Sequence, residues 1–231
     1  MSRCDKRPWL ATDWCPPSQA RRRRPASALV TAPADDLRAE LERRDFKFLC
    51  SDAAVARLET IDAAAALIDV DPSLAEVVWD RVRTIYLLDA PPGFDISHSE
   101  PRWDDRIFVS VPADDEVAAL RVAENIVHEA MHLHLTEYEK KIPLIADSGS
   151  KLFSPWKQEM RDLQGNLHGV YVFVCIRAFL QTSGLSPSDT HGWAYVKRRL
   201  AEIGDELAAL DVEQVKAGLT EPAQELLRRI L

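Results

Sequence analysis

His128-Glu129-Ala130-Met131-His132 lies inside a run whose apolar residues recur at helical spacing, and this constrains the chain more than any other feature. Leu120, Ala123, Ile126, Val127, Ala130 and Met131 make a stripe that must be buried. The pattern predicts a long helix, capped by Asp114 or Asp115 and ending near Lys140. Residues four apart on a helix share a face, one turn above each other. His128 and His132 are therefore neighbours on that helix. Two imidazoles so placed can hold one metal ion, and Glu129 between them can hold or move a proton. His134 is two residues on from His132 and points to a different face.

The rest of the chain is patterned mainly for helices. Asp35 or Asp36 can cap a segment to about Arg44. A stripe of Val55, Leu58, Ile61, Ala65 and Ile68 predicts a helix over 51–70. Pro72 suits a first helical turn, and the pattern continues to about Leu88, before Pro91, Pro92 and Gly93. Residues 93–106 read as loop. Ile107 to Val111 is a short β-branched run and the best strand candidate. After a loop with Pro143, Gly149 and Pro155, a second long helix is expected from Trp156 to Thr182. Ser186–Leu210 and Glu221–Ile230 read as two more. The expected fold is thus mainly α, with a small β element around 107–111 packed beside the metal-binding helix. An α+β zincin-like domain is the alternative. Residues 1–33, with five prolines and the run Arg21 to Arg24, read as a disordered basic arm. Residues 34–231 read as a single catalytic domain.

Charge and cysteine usage narrow the function. The net charge is −8, although residues 1–30 are basic, so the body is strongly acidic. An acidic body argues against nucleic-acid binding. The apolar runs fall short of a membrane span, which needs roughly 18 residues. Cys4, Cys15, Cys50 and Cys175 form no C-x-x-C pair and no disulfide framework. A reduced cytoplasmic protein is expected.

A catalytic metal needs a third protein ligand and open positions. The downstream candidates are Glu137, Glu139, Glu159, His168 and His191. Glu137 and Glu139 follow on the same helix and read as too close or on the wrong face. His168 is preferred, because Gly165 and Gly169 would let its helix come close, and Glu159 is the alternative. Arg161 precedes His168 by seven residues. On a helix both would face the same way, with Lys157 one turn further back. A cation there suits an anionic co-substrate, or equally a surface pair with Asp162 or Glu159.

Several blocks in this order resemble a known family. They are Ile107 to Pro112 (I-F-V-S-V-P), Ala123 to His132, Ser154 to Lys157 (S-P-W-K), and Arg161 followed by Gly165 to Gly169 (G-N-L-H-G). Together they look like the H-E-x-x-H domain found near peptide-modifying enzymes in bacterial gene clusters. Its members are described as iron- and 2-oxoglutarate-dependent peptide β-hydroxylases. The resemblance covers roughly residues 96–180, and Asp162 stands where proline would be expected. It implies that His128, His132 and His168 hold Fe(II), with 2-oxoglutarate and O2 as co-substrates. Arg161, or otherwise Lys157, would anchor the distal carboxylate. Glu129 would orient a ligand or water, and the substrate would be a ribosomally made precursor peptide. The chief rival is a Zn(II) metallopeptidase with Glu129 as general base. A non-catalytic, metal-stabilised peptide-binding protein is the third reading.

Overall fold

The computed structural model describes residues 7–12, 25–113, 115–147, 149–185 and 188–231. The elements run α1 Asp35–Glu42, β1 Lys47–Phe48, α2 Ser51–Val55, α3 Leu58–Ile68, α4 Pro72–Arg81, β2 Thr84–Asp89, β3 Ser97–His98, β4 Arg106–Ser110 and α5 Ala118–Glu139. They continue with β5 Lys151–Ser154, β6 Glu159–Asp162, α6 Leu163–Thr182, α7 Thr190–Ala209, α8 Val212–Ala217 and α9 Glu221–Ile230. The architecture is mainly α, with a small sheet beside the helix that carries the histidine pair, as the sequence predicts.

That sheet has the order β1-β2-β4-β3. Its central strands, β2 and β4, are parallel, with Ile85 opposite Ile107 and Leu87 opposite Val109. These four side chains face the main core with α5. Tyr86, Leu88 and Phe108 face the other way, against Leu37 and Leu41 of α1. A strand buried on both faces is apolar throughout and shows no alternation. This is why residues 84–89 read as the end of a helix: α4 stops at Arg81, and the run beyond it is β2. The start of α4 is as expected, with the Asp71 carboxylate accepting from the Ser73 and Leu74 amides. The helix expected over 51–70 is broken at Ala56-Arg57 into α2 and α3.

α5 runs through the middle of the molecule, packed by α3, α4 and α6. Asp114 lies outside the described residues, and Asp115 accepts from the Val117 amide at 2.9 Å just ahead of the helix. The second long helix is shorter than its pattern suggests. It begins at Leu163, and residues 151–162 form the antiparallel hairpin β5–β6. Asp162 caps α6 by accepting from the Gly165 amide at 2.7 Å. By length and composition α6 could cross a membrane, but 67% of its most apolar window is buried inside the molecule. It is a core helix.

The described parts of residues 1–33 are packed rather than loose. Pro8–Leu10 and Ala26–Leu29 are 3-10 turns, and Trp9 is buried in the main core with its indole N–H donated to Ser73 Oγ. Val30 bridges to Ile85 beside β2. The run Arg21 to Arg24 lies outside the described residues.

Candidate metal centre

The facing sides of α5 and α6 bring His128, His132 and His168 together. Nε2 of His132 is 3.2 Å from Nε2 of His128, and Nδ1 of His132 is 3.1 Å from Nδ1 of His168. The His132 and His168 rings stack at 5.4 Å and 15°. As packed, then, His132 turns one nitrogen to each neighbour. Among the described residues no group of three His, Cys, Asp or Glu side chains is arranged to hold a metal ion. His128 and His132 bring their Nε2 atoms together, with the rings tilted at 55°.

Both rings are neutral at physiological pH. Burial, reinforced by the charges of Lys157 and Arg199, pushes His128 down to about 4. Burial, with His128 as the next cause, pushes His132 down to about 3. A neutral imidazole has one lone pair to offer, which is the form a metal binds. His134 is also lowered to about 3, chiefly by burial. It faces Thr12 Oγ1 at 2.9 Å and the Tyr171 ring, away from the other three, as its spacing predicts.

Glu129 is held on both oxygens. Ser97 Oγ donates to Oε1 and Ser99 Oγ to Oε2, each at 2.6 Å. Side chains two apart on a strand share a face, so β3 and the residue after it present both hydroxyls to α5. The Glu129 side chain is only 5% exposed and Oε1 lies 3.9 Å from His128 Nε2.

The hairpin β5–β6 places the cations. Its turn, residues 155–158, carries Trp156 and Lys157. Trp156 lies flat on Gly169: a Cβ there would come within 2.6 Å of the indole ring. The indole also stacks on Phe173 at 5.1 Å and 3°, and Phe173 meets His128 edge-on at 5.6 Å. The tryptophan of S-P-W-K thus touches the glycine of L-H-G, and Lys157 comes close enough for its charge to act on His128 and His132. Among the described residues Lys157 makes no ion pair. Arg161 sits on β6, so its seven-residue spacing to His168 is not two turns of one helix. Its guanidinium nonetheless lies across Gly165, where a Cβ would be 3.1 Å from Nε. Gly165 is three residues before His168 on α6, hence on the same face. Glu159 is 63% exposed and lies 4.0 Å from Arg161 Nε, with no contact to the imidazoles. His191 pairs with Glu116 elsewhere.

Several partners are not evident from the sequence patterns. Glu139 Oε2 is 3.0 Å from His168 Nε2. Its spacing of seven from His132 is two turns of a true helix and could have placed it on the histidine face. One turn before His128, Glu124 accepts from Tyr195 Oη and Arg199 Nε, each at 2.7 Å. Nothing in the sequence links α5 to α7 in this way. Ser97 and Ser99 also lie in a stretch that reads as plain loop.

No protein-family model matches the chain, and comparison with curated proteins finds no match.

Proposed function

We propose that the chain is an Fe(II)- and 2-oxoglutarate-dependent oxygenase that hydroxylates the β-carbon of a residue in a ribosomally made precursor peptide. The observation that carries this reading is the meeting of three imidazoles from α5 and α6 beside Lys157, a cation with no ion-pair partner among the described residues. The resemblance of the S-P-W-K and L-H-G blocks to the peptide β-hydroxylases supports it.

The His128–His132 pair is close enough to share a metal ion. Two nitrogens bound to one ion at about 2.1 Å each can lie no farther apart than about 4.2 Å. The Nε2 atoms of His128 and His132 are 3.2 Å apart. His168 is in ring contact with His132 and would have to turn its side chain to act as the third ligand. Fe(II), when bound with 2-oxoglutarate and O2, supplies the oxidising power that turns a C–H bond into C–OH.

The chain's own groups do the rest. His128 and His132 offer lone pairs because burial keeps them neutral. Lys157 would pair with the distal carboxylate of 2-oxoglutarate, with Arg161 as the second choice, since Glu159 already faces its guanidinium. The Trp156–Phe173 stack walls one side of the centre, with Phe173 edge-on to His128. Glu129 orients rather than abstracts. Both Glu129 oxygens accept serine hydroxyls, which fix the direction of the carboxylate while each oxygen keeps a second lone pair. The acidic surface suits a peptide partner in the cytoplasm better than a nucleic acid.

The test is to incubate the iron-loaded protein with 2-oxoglutarate, O2 and candidate precursor peptides sought in the neighbourhood of its gene. Succinate release and a peptide heavier by one oxygen atom are expected. An intact peptide under these conditions, but cleavage of it with Zn(II), would establish the peptidase instead.

A further inference from the structure

Behind α6, away from the imidazoles, lies a cavity of about 260 Å³ lined by Pro8, Val174, Arg177, Ala178, Gln181 and Ile230. Arg177, Ala178 and Gln181 follow Val174 by three, four and seven positions along α6, so the four share one face. Arg177 is nine residues on from His168, or two and a half turns, which puts it on the opposite side of the helix. Pro8 comes from a 3-10 turn and Ile230 from the last turn of α9. Pro8, Val174 and Ile230 are buried, so most of the lining is apolar. Among the described residues, neither the Arg177 guanidinium nor the Gln181 side-chain amide has a hydrogen-bond or ion-pair partner. The cations next to Pro8 and Ile230 are engaged. Arg7 pairs with Asp71 at 3.3 Å, and Arg229 with Glu225 at 3.0 Å and with the Ala11 carbonyl at 3.2 Å.

An unpaired guanidinium beside an apolar pocket calls for an anion. A carboxylate meets its fork with two parallel hydrogen bonds, and walls of low polarity strengthen that pairing relative to open water. The Gln181 amide can add an N–H donor. The walls specify the rest of the ligand. A dry cavity of about 150 Å³ is enough to hold benzene, so this one takes an apolar body of roughly six carbons. We propose that the cavity is a second binding site, for a small carboxylate with an aliphatic or aromatic body, held by Arg177. It shares no residue with the candidate metal centre, so it stands or falls independently of the function proposed above.

Hexanoate is the probe, and 1H–15N correlation spectra of the 15N-labelled protein are the readout. Hexanoate should give saturable shifts confined to residues around 8–11, 174–181 and 229–231. Arg177→Gln should weaken this binding by about 10- to 100-fold, the loss expected for a charge-assisted hydrogen bond. Ala178→Leu fills the pocket, leaves Arg177 in place and should abolish binding. Two comparisons need no variant. 1-Hexanol has the chain without the charge, and inorganic phosphate has the charge without the chain. Each should bind at least about 10-fold more weakly than hexanoate. Equal binding of 1-hexanol or phosphate at these residues, no saturable shift there with hexanoate, or an unchanged affinity in Arg177→Gln would overturn the inference. So would a loss of stability in Arg177→Gln with no hexanoate binding by wild type, which would assign Arg177 to the carbonyl end of α9 instead.

Discussion

A histidine that is to bind a metal must be neutral, and here burial does that work before any metal arrives. The cost appears as pH dependence. His128, His132 and His134 have folded values of about 4, 3 and 3, below the ordinary value of 6.5. Below 6.5 the unfolded chain takes protons that the folded chain refuses, so stability is complete above that pH and is lost as the pH falls toward 4. Each tenfold loss of proton affinity on folding costs at most about 1.4 kcal/mol. Most unfolded carboxylates titrate below about pH 5, so the interval from there to 6.5 reports the histidines. The urea midpoint of the metal-free protein should therefore be lower at pH 5 than at pH 7, with a smaller difference in His132→Asn. Equal midpoints would mean that these rings are not desolvated. Single residues are most legible in the sequence where their spacing lies within one real helix. His128 with His132 follows that rule. Glu139 obeys the same arithmetic, although its closeness in sequence makes it read as an unsuitable ligand. Glu129 is the counterexample. Its motif names it a base, and only the strand beside it, through Ser97 and Ser99, shows what its oxygens are engaged in.

Among the elements, the hairpin β5–β6 departs most from expectation. Its sequence, with Trp156, Met160 and Leu163, carries apolar residues at spacings that also fit a helix, so α6 reads as starting at Trp156, within the hairpin's turn. A two-stranded ribbon is marginal alone. This one is held by Trp156 on Gly169 and by the Asn166 side-chain amide, which donates to the Leu152 and Arg161 carbonyls at 3.2 Å. The small residue at 169 is therefore what brings Lys157 to the imidazoles. Gly169→Ala forces Trp156 off the helix, since its Cβ would lie 2.6 Å from the ring. It should destabilise by about 1–3 kcal/mol, the usual cost of overpacking, and weaken 2-oxoglutarate binding more than metal binding. Gly204→Ala is the control, with nothing within 4 Å of the added Cβ in the middle of α7. It should stabilise by about 0.5–1 kcal/mol. Urea unfolding and calorimetric titration check both variants. If Gly169→Ala behaves like Gly204→Ala, the hairpin is not anchored there. β2 is illegible for a different reason. Buried on both faces, it lacks the alternation by which a half-exposed strand declares itself.

Across the whole molecule, the long central helix is packed by α3, α4, α6 and the sheet strands β3 and β4. α6 and its hairpin bring His168 and Lys157 to the histidine face, and Arg199 of α7 comes close enough for its charge to act on His128. The proportion of helix, the position of β4 and the single long helix with its histidine pair are readable, because each follows from a local pattern. The joining of α5 to α7 through Glu124 and Arg199, and the burial of Trp9 against α4, are not, because they link residues 75 and 64 positions apart. Centrally, we propose that this arrangement holds Fe(II) with 2-oxoglutarate chelated to it. The most direct test is the visible spectrum of the anaerobic Fe(II)-loaded protein as 2-oxoglutarate is added. A weak charge-transfer absorption that saturates with 2-oxoglutarate, and is missing in His128→Ala, is the predicted result. A featureless spectrum from protein shown to contain Fe(II) would contradict it.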